Sequence, residues 1–146
     1  MNWFVDTNVL VHAIDNRFPA KKERADLWLR ELARHKAVVL SPQSLNEFYS
    51  VATLQLGLAR NRSIRDQAWN LARWCTAPLD VEVSRDAWRI EDATGCRYFD
   101  CLLISSALRA DCSFFLSEDL QHERRISELT ILNPFLTSPQ DFFAPN

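Results

Sequence analysis

Glycine is scarce in this sequence: there are two in 146 residues, Gly57 and Gly95, far apart. Loops that cradle phosphate with backbone N–H groups need clustered glycines, so the P-loop and the dinucleotide fingerprint are excluded. Net charge is also small, −2 at pH 7. Bulk attraction to nucleic acid or membrane is thereby removed, and any polyanion contact must be local. No C-x-x-C pair occurs among Cys75, Cys96, Cys101 and Cys112, and no histidine lies at zinc-ligand spacing from them. They read as reduced packing residues of a cytosolic protein. No window approaches the roughly 18 unbroken apolar residues of a membrane span. The opening "MNWFVDTN" lacks the positive region of a signal peptide, so the expected location is the cytoplasm, with no membrane partner.

What is present is an ordinary globular balance, 47% hydrophobic and 25% charged residues, on a chain long enough for one core. There are no repeats or linkers, and residues 1–146 read as a single domain. "NWFVD" reads as a buried strand and "VLVHAI" as the start of a helix. A helical stripe follows Pro19 through Ala25, Trp28, Leu29 and Leu32. "AVVLS" is a second strand, with Ser41–Pro42 opening a helix that Gly57 stops. Ser63 is the expected cap of the next helix, and "LDVEVS" alternates like a half-buried strand. "SRDAWRIEDAT" ends at Gly95 as a helix, "DCLLISSALRA" is a well-covered helix, and "SFFLS" and "ELTILN" are buried strands. Alternating strands and helices predict an α/β fold with a short parallel sheet.

In such sheets ligands bind outside the carboxyl ends of the strands. Asp6 ends the first strand, Glu47 lies early in the helix after the second, Asp100 opens the apolar helix, and Asp119 follows "SFFLS". Singly, each has a plainer explanation as a cap, a helix-dipole partner or a solvated acid. Together, four carboxylates at one edge repel one another by about 1 kcal/mol per pair at 4 Å in water and more in lower dielectric, so the cluster requires a cation. Oxygen ligands with room for water and substrate phosphate suit Mg²⁺ or Mn²⁺, and the implied chemistry is metal-assisted phosphodiester hydrolysis. Thr7, Asn8 and Ser117 are short polar residues suited to orienting these acids.

These stretches also resemble a known family. "FVDTNVLVHAID", "SPQSLNEF", "YFDCLLISSAL" and "FLSEDLQH" are similar, in order and over nearly the whole chain, to the four motifs of the PIN domain, in particular the small bacterial ribonucleases that include VapC-type toxins. The resemblance implies a Rossmann-like α/β fold with helices on both faces of the sheet, and Mg²⁺ or Mn²⁺ at Asp6, Glu47, Asp100 and Asp119. It implies endoribonuclease activity on RNA and a cognate antitoxin, and a homodimer is expected. Asn8 and Ser117 are the supporting polar groups. One departure is Glu123, where relatives usually carry glycine: if the position needs φ > 0, glutamate adds strain and could shift the loop that carries Asp119.

Arg60, Arg62, Arg65, Arg97, Arg124 and Arg125 are candidates for gripping RNA, or else ordinary surface cations. His12 and His122 are candidate proton donors, though such histidines are more often structural. Trp28, Trp69, Trp74 and Trp88 fall on helices, where an exposed aromatic patch would mark a dimer or antitoxin surface. Ser105 and Ser106 lack a nucleophile elbow. A haloacid-dehalogenase-type phosphotransferase would need an acid at Asn8, and a receiver domain a late lysine, whereas the lysines stop at Lys36. Two rivals stay open: a non-catalytic partner-binding module of the same fold, and a nuclease acting on DNA or structured nucleic acid.

Overall fold

Every side chain from Trp3 to Val5 is buried, so the first strand, β1 (Asn2–Val5), must be covered on both faces. In the computed structural model, which describes residues 1–144, it is the second strand of a five-stranded sheet ordered β2-β1-β3-β5-β4. Residues 145 and 146, assigned above to the single domain, lie outside the described residues. Strands β2 (Val38–Val39), β3 (Cys112–Leu116) and β5 (Leu129–Leu132) run parallel to β1, and the edge strand β4 (Arg125–Ile126) pairs antiparallel with β5.

The helices are α1 (Thr7–His12), α2 (Pro19–Arg34), α3 (Pro42–Leu54), α4 (Arg62–Asn70), α5 (Val81–Thr94) and α6 (Tyr98–Arg109). One face of the sheet, with Trp3, Val5 and Val38, packs against Trp28 and Leu32 of α2, Phe48 and Ala52 of α3, and Ile64 and Ala68 of α4. The other, with Phe4, Val39, Phe115 and Ile131, packs against Leu103, Ile104 and Ala107 of α6. Single-residue alternation along β1 therefore feeds two cores, and the expected two-sided α/β sheet is what the chain forms.

Two local readings change and one short strand is added. "LDVEVS" is not a strand: Asp80 caps α5 by accepting a hydrogen bond from Val83 N–H at 3.0 Å, and Val83 and Ala87 fall on its buried side. An L-x-V-x-V alternation over so few residues fits a helix start as well as a strand, and the cap decides. Ser63 lies inside α4, whose cap is Asn61, accepting from Ile64 N–H at 3.2 Å. The two-residue β4 carried no sequence signal. Gly57 (φ 68°) follows α3, and Gly95 (φ 70°) ends α5 in the left-handed conformation that glycine alone adopts cheaply. The four cysteines are unpaired. Trp28 is buried, whereas Trp69 and Trp88 are exposed on separate helices.

Candidate active site

β1 and β3 are neighbours, yet the chain reaches them by crossing from one side of the sheet to the other. That reversal opens a crevice outside their carboxyl ends. Asp6 directly follows β1, and Ser117, Glu118 and Asp119 directly follow β3; Asp6 N–H bonds Leu116 C=O at 2.9 Å across the gap. α3 and α6 bring Glu47 and Asp100 to the same place. Asp6, Thr7, Asn8, Glu47, Asp100 and Asp119 all line one cleft of about 350 Å³.

Asp6 has a double role. As the cap of α1, its Oδ1 accepts from Thr7 N–H at 2.7 Å, so the plain capping explanation is true as far as it goes. Its Oδ2 accepts from Ser117 Oγ at 2.7 Å and from Asn8 Nδ2 at 3.1 Å. The same Asn8 amide reaches Asp119 Oδ2 at 3.1 Å and so bridges two acids. Thr7 Oγ1 donates to Glu47 Oε2 at 2.9 Å, and Gln43 Nε2 holds the other oxygen at 2.9 Å. The three short polar residues therefore join Asp6, Glu47 and Asp119 into one network, which also includes Gln43, one turn ahead of Glu47. That i, i+4 spacing was the available signal for it. Asp100 faces the same cleft with Arg97 as its polar neighbour.

The electrostatics are those of a crowded anion. Burial pushes the Asp6 carboxyl up to about 7, with further upward pressure from Asp100 and Glu47, against the downward pull of Ser117 and Thr7. Burial also raises Asp100; Arg97, 4.0 Å away, opposes the rise, while Asp119 and Glu47 add to it. All the donors are carboxylate oxygens, with Asp6 anchored and Asp119 exposed at the mouth. Among the described residues no three acids, histidines or cysteines are grouped into a ready-made ion cage. An open set of this kind fits a hard divalent ion that keeps much of its water, as Mg²⁺ does.

The residues flanking the network are placed less as expected. Glu118, beside Asp119 in the chain, is paired: His12 Nε2 meets it at 2.6 Å, and the Lys21 ammonium pairs with its other oxygen. Burial alone would raise its carboxyl, but these two partners outweigh burial and hold it below the usual range. His122 Nδ1 accepts from Asn133 N–H at 3.0 Å, a structural contact. Of the six arginines singled out in the sequence, Arg97 alone lines the cleft. Arg62 pairs with Asp66, Arg65 lies beside Tyr49 and Trp69 in a separate groove, Arg124 reaches back to Thr94 C=O, and Arg125 is exposed on β4. Arg60 is exposed in the α3–α4 connection.

Glu123 does adopt φ 67°. The loop is nonetheless held by Glu123 N–H to Ile131 C=O at 2.7 Å, and Asp119 keeps its contact with Asn8. The strain is therefore local. Glu123→Gly is expected to stabilise the protein by about 1 kcal/mol, since a left-handed residue with a Cβ costs about 1–2 kcal/mol and glycine's looser unfolded chain returns part of it. Urea unfolding midpoints of the two proteins check this. An unchanged or lower midpoint for the variant would mean that the loop carries no such strain.

The comparisons agree with the geometry. No curated protein matches the chain. Among solved structures, VapBC2 from Rickettsia felis bound to a DNA fragment from their promoter is similar in fold, with a TM-score of 0.60 over 91% of this chain and 98% of that one, at 16% identity. A family model described as "PIN domain" matches residues 3–126, a stretch that contains Asp6, Glu47, Asp100 and Asp119, and the chain therefore belongs to the PIN domain family, whose members are generally nucleases.

Proposed function

We propose that this chain is a Mg²⁺- or Mn²⁺-dependent endoribonuclease and the toxin of a toxin–antitoxin pair. The observation that carries the reading is Asp6, a buried carboxylate held by Thr7, Asn8 and Ser117 and pushed up to about 7, in a cleft shared with three further acids. Asp6, Glu47, Asp100 and Asp119 would hold the metal. When bound, the ion supplies an activated water and charge neutralisation at the phosphodiester. The protein's own part is orientation: Ser117 and Thr7 fix Asp6, Thr7 and Gln43 fix Glu47, and Asn8 keeps Asp6 and Asp119 at a set separation. Asp119, the most exposed of the four, is the acid that can pass a proton from the attacking water to bulk solvent.

The toxin role and an antitoxin partner are supported by the likeness to VapBC2, a complex that binds promoter DNA. A homodimer in the cytoplasm goes with that reading. No helix among the described residues is long and apolar enough to cross a membrane.

The test uses the purified full chain with mixed cellular RNA, and separately with single-stranded DNA, in Mg²⁺, in Mn²⁺ and in chelator. Discrete RNA fragments that form only with metal and disappear in Asp100→Asn are expected. Cleavage of DNA alone would make the chain a deoxyribonuclease. No cleavage of either by folded, inhibitor-free protein would turn the reading to a binding module that keeps the fold without the chemistry.

A further inference from the structure

A cleft lined by Asp6, Glu47, Asp100 and Asp119 attracts a polyanion only where a cation offsets the acids, so groups on its rim are needed to hold the strand on either side of that point. Among the lining residues the cations independent of pH are Arg97, beside Asp100, and Arg17, in the loop between α1 and α2. Arg17 is built in. Its Nε donates to Asp15 Oδ1 at 3.0 Å, its Nη2 to Oδ2 at 2.9 Å, and its backbone N–H to Oδ1 at 3.1 Å. Asp15 is itself only 5% exposed. The guanidinium is therefore held in one orientation while remaining open to solvent at its other donors.

Next to it is Phe18, half-exposed and lining the same cleft. The Arg17 guanidinium carbon lies 5.5 Å from the centre of its ring. One exposed aromatic on a protein surface is unremarkable. An exposed ring inside an acid-lined nuclease cleft, beside an oriented arginine, is what a single-stranded nucleic acid uses: a π-face for a base and a cation for the adjoining phosphate.

We propose that Arg17 and Phe18 form a single-strand platform on the rim of the cleft, on which Phe18 stacks a base flanking the scissile phosphate and Arg17 binds a neighbouring phosphate. The inference rests on the nuclease reading above and adds to it the two residues that hold the strand beside the site. A base held in an A-form duplex is already stacked on both faces and cannot lie on Phe18. The platform residues bind and position; they do not touch the reacting atoms.

The experiment is steady-state cleavage of a fluorescent single-stranded oligoribonucleotide and of the same sequence annealed to its complement, with Mn²⁺, by wild type, Phe18→Ala, Phe18→Trp and Arg17→Gln. Melting temperatures run alongside. For wild type, cleavage of the single strand and little of the duplex is expected. Phe18→Ala is expected to raise the single-strand KM about tenfold, within the range for losing one base–aromatic stack, with a much smaller change in kcat, and Phe18→Trp to restore it. Arg17→Gln is expected to lower the slope of log affinity against log salt by about one phosphate contact. Because that variant leaves Asp15 without its partner, the slopes compared are those of oligonucleotide binding to Asp100→Asn and to Asp100→Asn carrying Arg17→Gln, both checked to melt normally; an unchanged slope in the second removes the phosphate contact. Wild type that cleaves, with an unchanged KM for Phe18→Ala, overturns the platform while leaving the nuclease intact and assigns the exposed ring to a protein partner. Wild type that cleaves nothing overturns the nuclease reading itself.

Discussion

Asp6→Asn is expected to slow RNA cleavage by on the order of 10³-fold and, at pH 8 without metal, to raise the unfolding temperature. The two effects have one origin. The Asp6 carboxyl is buried, and burial first, then the charges of Asp100 and Glu47, push it up to about 7 from 3.8. A raised acid binds its proton more tightly in the folded chain than in the unfolded one. Its contribution to stability is complete below about pH 4 and is lost as pH climbs through about 7, a change of about 4 kcal/mol. Metal-free wild type should therefore weaken from about pH 4 to about pH 7 and level off above it, so that it is less stable at pH 8 than at pH 5. Asparagine keeps the cap, since its side-chain oxygen can accept from Thr7 N–H, and it carries no charge at any pH. The variant's stability should fall much less across the same interval, the remaining slope coming from Asp100, which burial also raises. Thermal unfolding in chelator at pH 5 and pH 8 reads both curves. Added Mg²⁺ or Mn²⁺ should then raise the melting temperature of wild type at pH 8 and leave that of Asp6→Asn nearly unmoved, because the variant has lost the anchored ligand. A wild type whose stability does not fall toward pH 8 would mean that Asp6 is not the strained anion at the centre of this site.

The acids were easier to place from the sequence than their surroundings. Asp6, Glu47, Asp100 and Asp119 each sit where a parallel sheet delivers its carboxyl-end loops, and topology alone brings them to one cleft. Thr7, Asn8 and Ser117 were legible for the same reason, being short polar residues next in sequence to those acids. Glu118 was not. Its partners His12 and Lys21 lie on α1 and α2, 106 and 97 residues away in the chain, and no local spacing records so distant a contact. The Arg17–Phe18 rim escaped notice because nothing in "DNRFPA" is periodic; its meaning depends on the loop being folded against the cleft. The arginines were legible as a charge cluster but not as to place. Charge clustering along the chain grouped Arg60, Arg62 and Arg65, yet α4 carries Arg62 to Asp66 and Arg65 to Tyr49, away from the acids. In the fold, the buried apolar runs were read correctly and "LDVEVS" was not, because a capping aspartate outweighs a short alternation.

Trp3→Ala is expected to cost about 3–5 kcal/mol, the range for truncating a buried aromatic. That is a large share of the roughly 5–15 kcal/mol that holds a domain together. Trp3 is fully buried three residues before Asp6, and its ring is the hub of one core face. Phe114 stacks on it at 4.2 Å, Phe142 meets it edge-on at 5.1 Å, and Trp28 lies at 5.2 Å. Trp28 and Trp3 differ in one respect. The Trp28 indole N–H donates to Pro134 C=O at 3.0 Å, whereas the Trp3 indole N–H is buried with no partner among the described residues. An unpaired buried donor costs about 1–3 kcal/mol, so Trp3→Phe removes a penalty while opening only a small cavity. It should lose less than half of what Trp3→Ala loses, and urea unfolding with equal m-values would separate the two. Equal losses for the two variants would show that Trp3 acts through its full indole volume and that the unpaired N–H is not a burden. Because β1 passes directly into Asp6, a Trp3→Ala protein that still folds should also cleave more slowly. A Trp3→Phe protein, with β1 held between β2 and β3, should keep most of its rate.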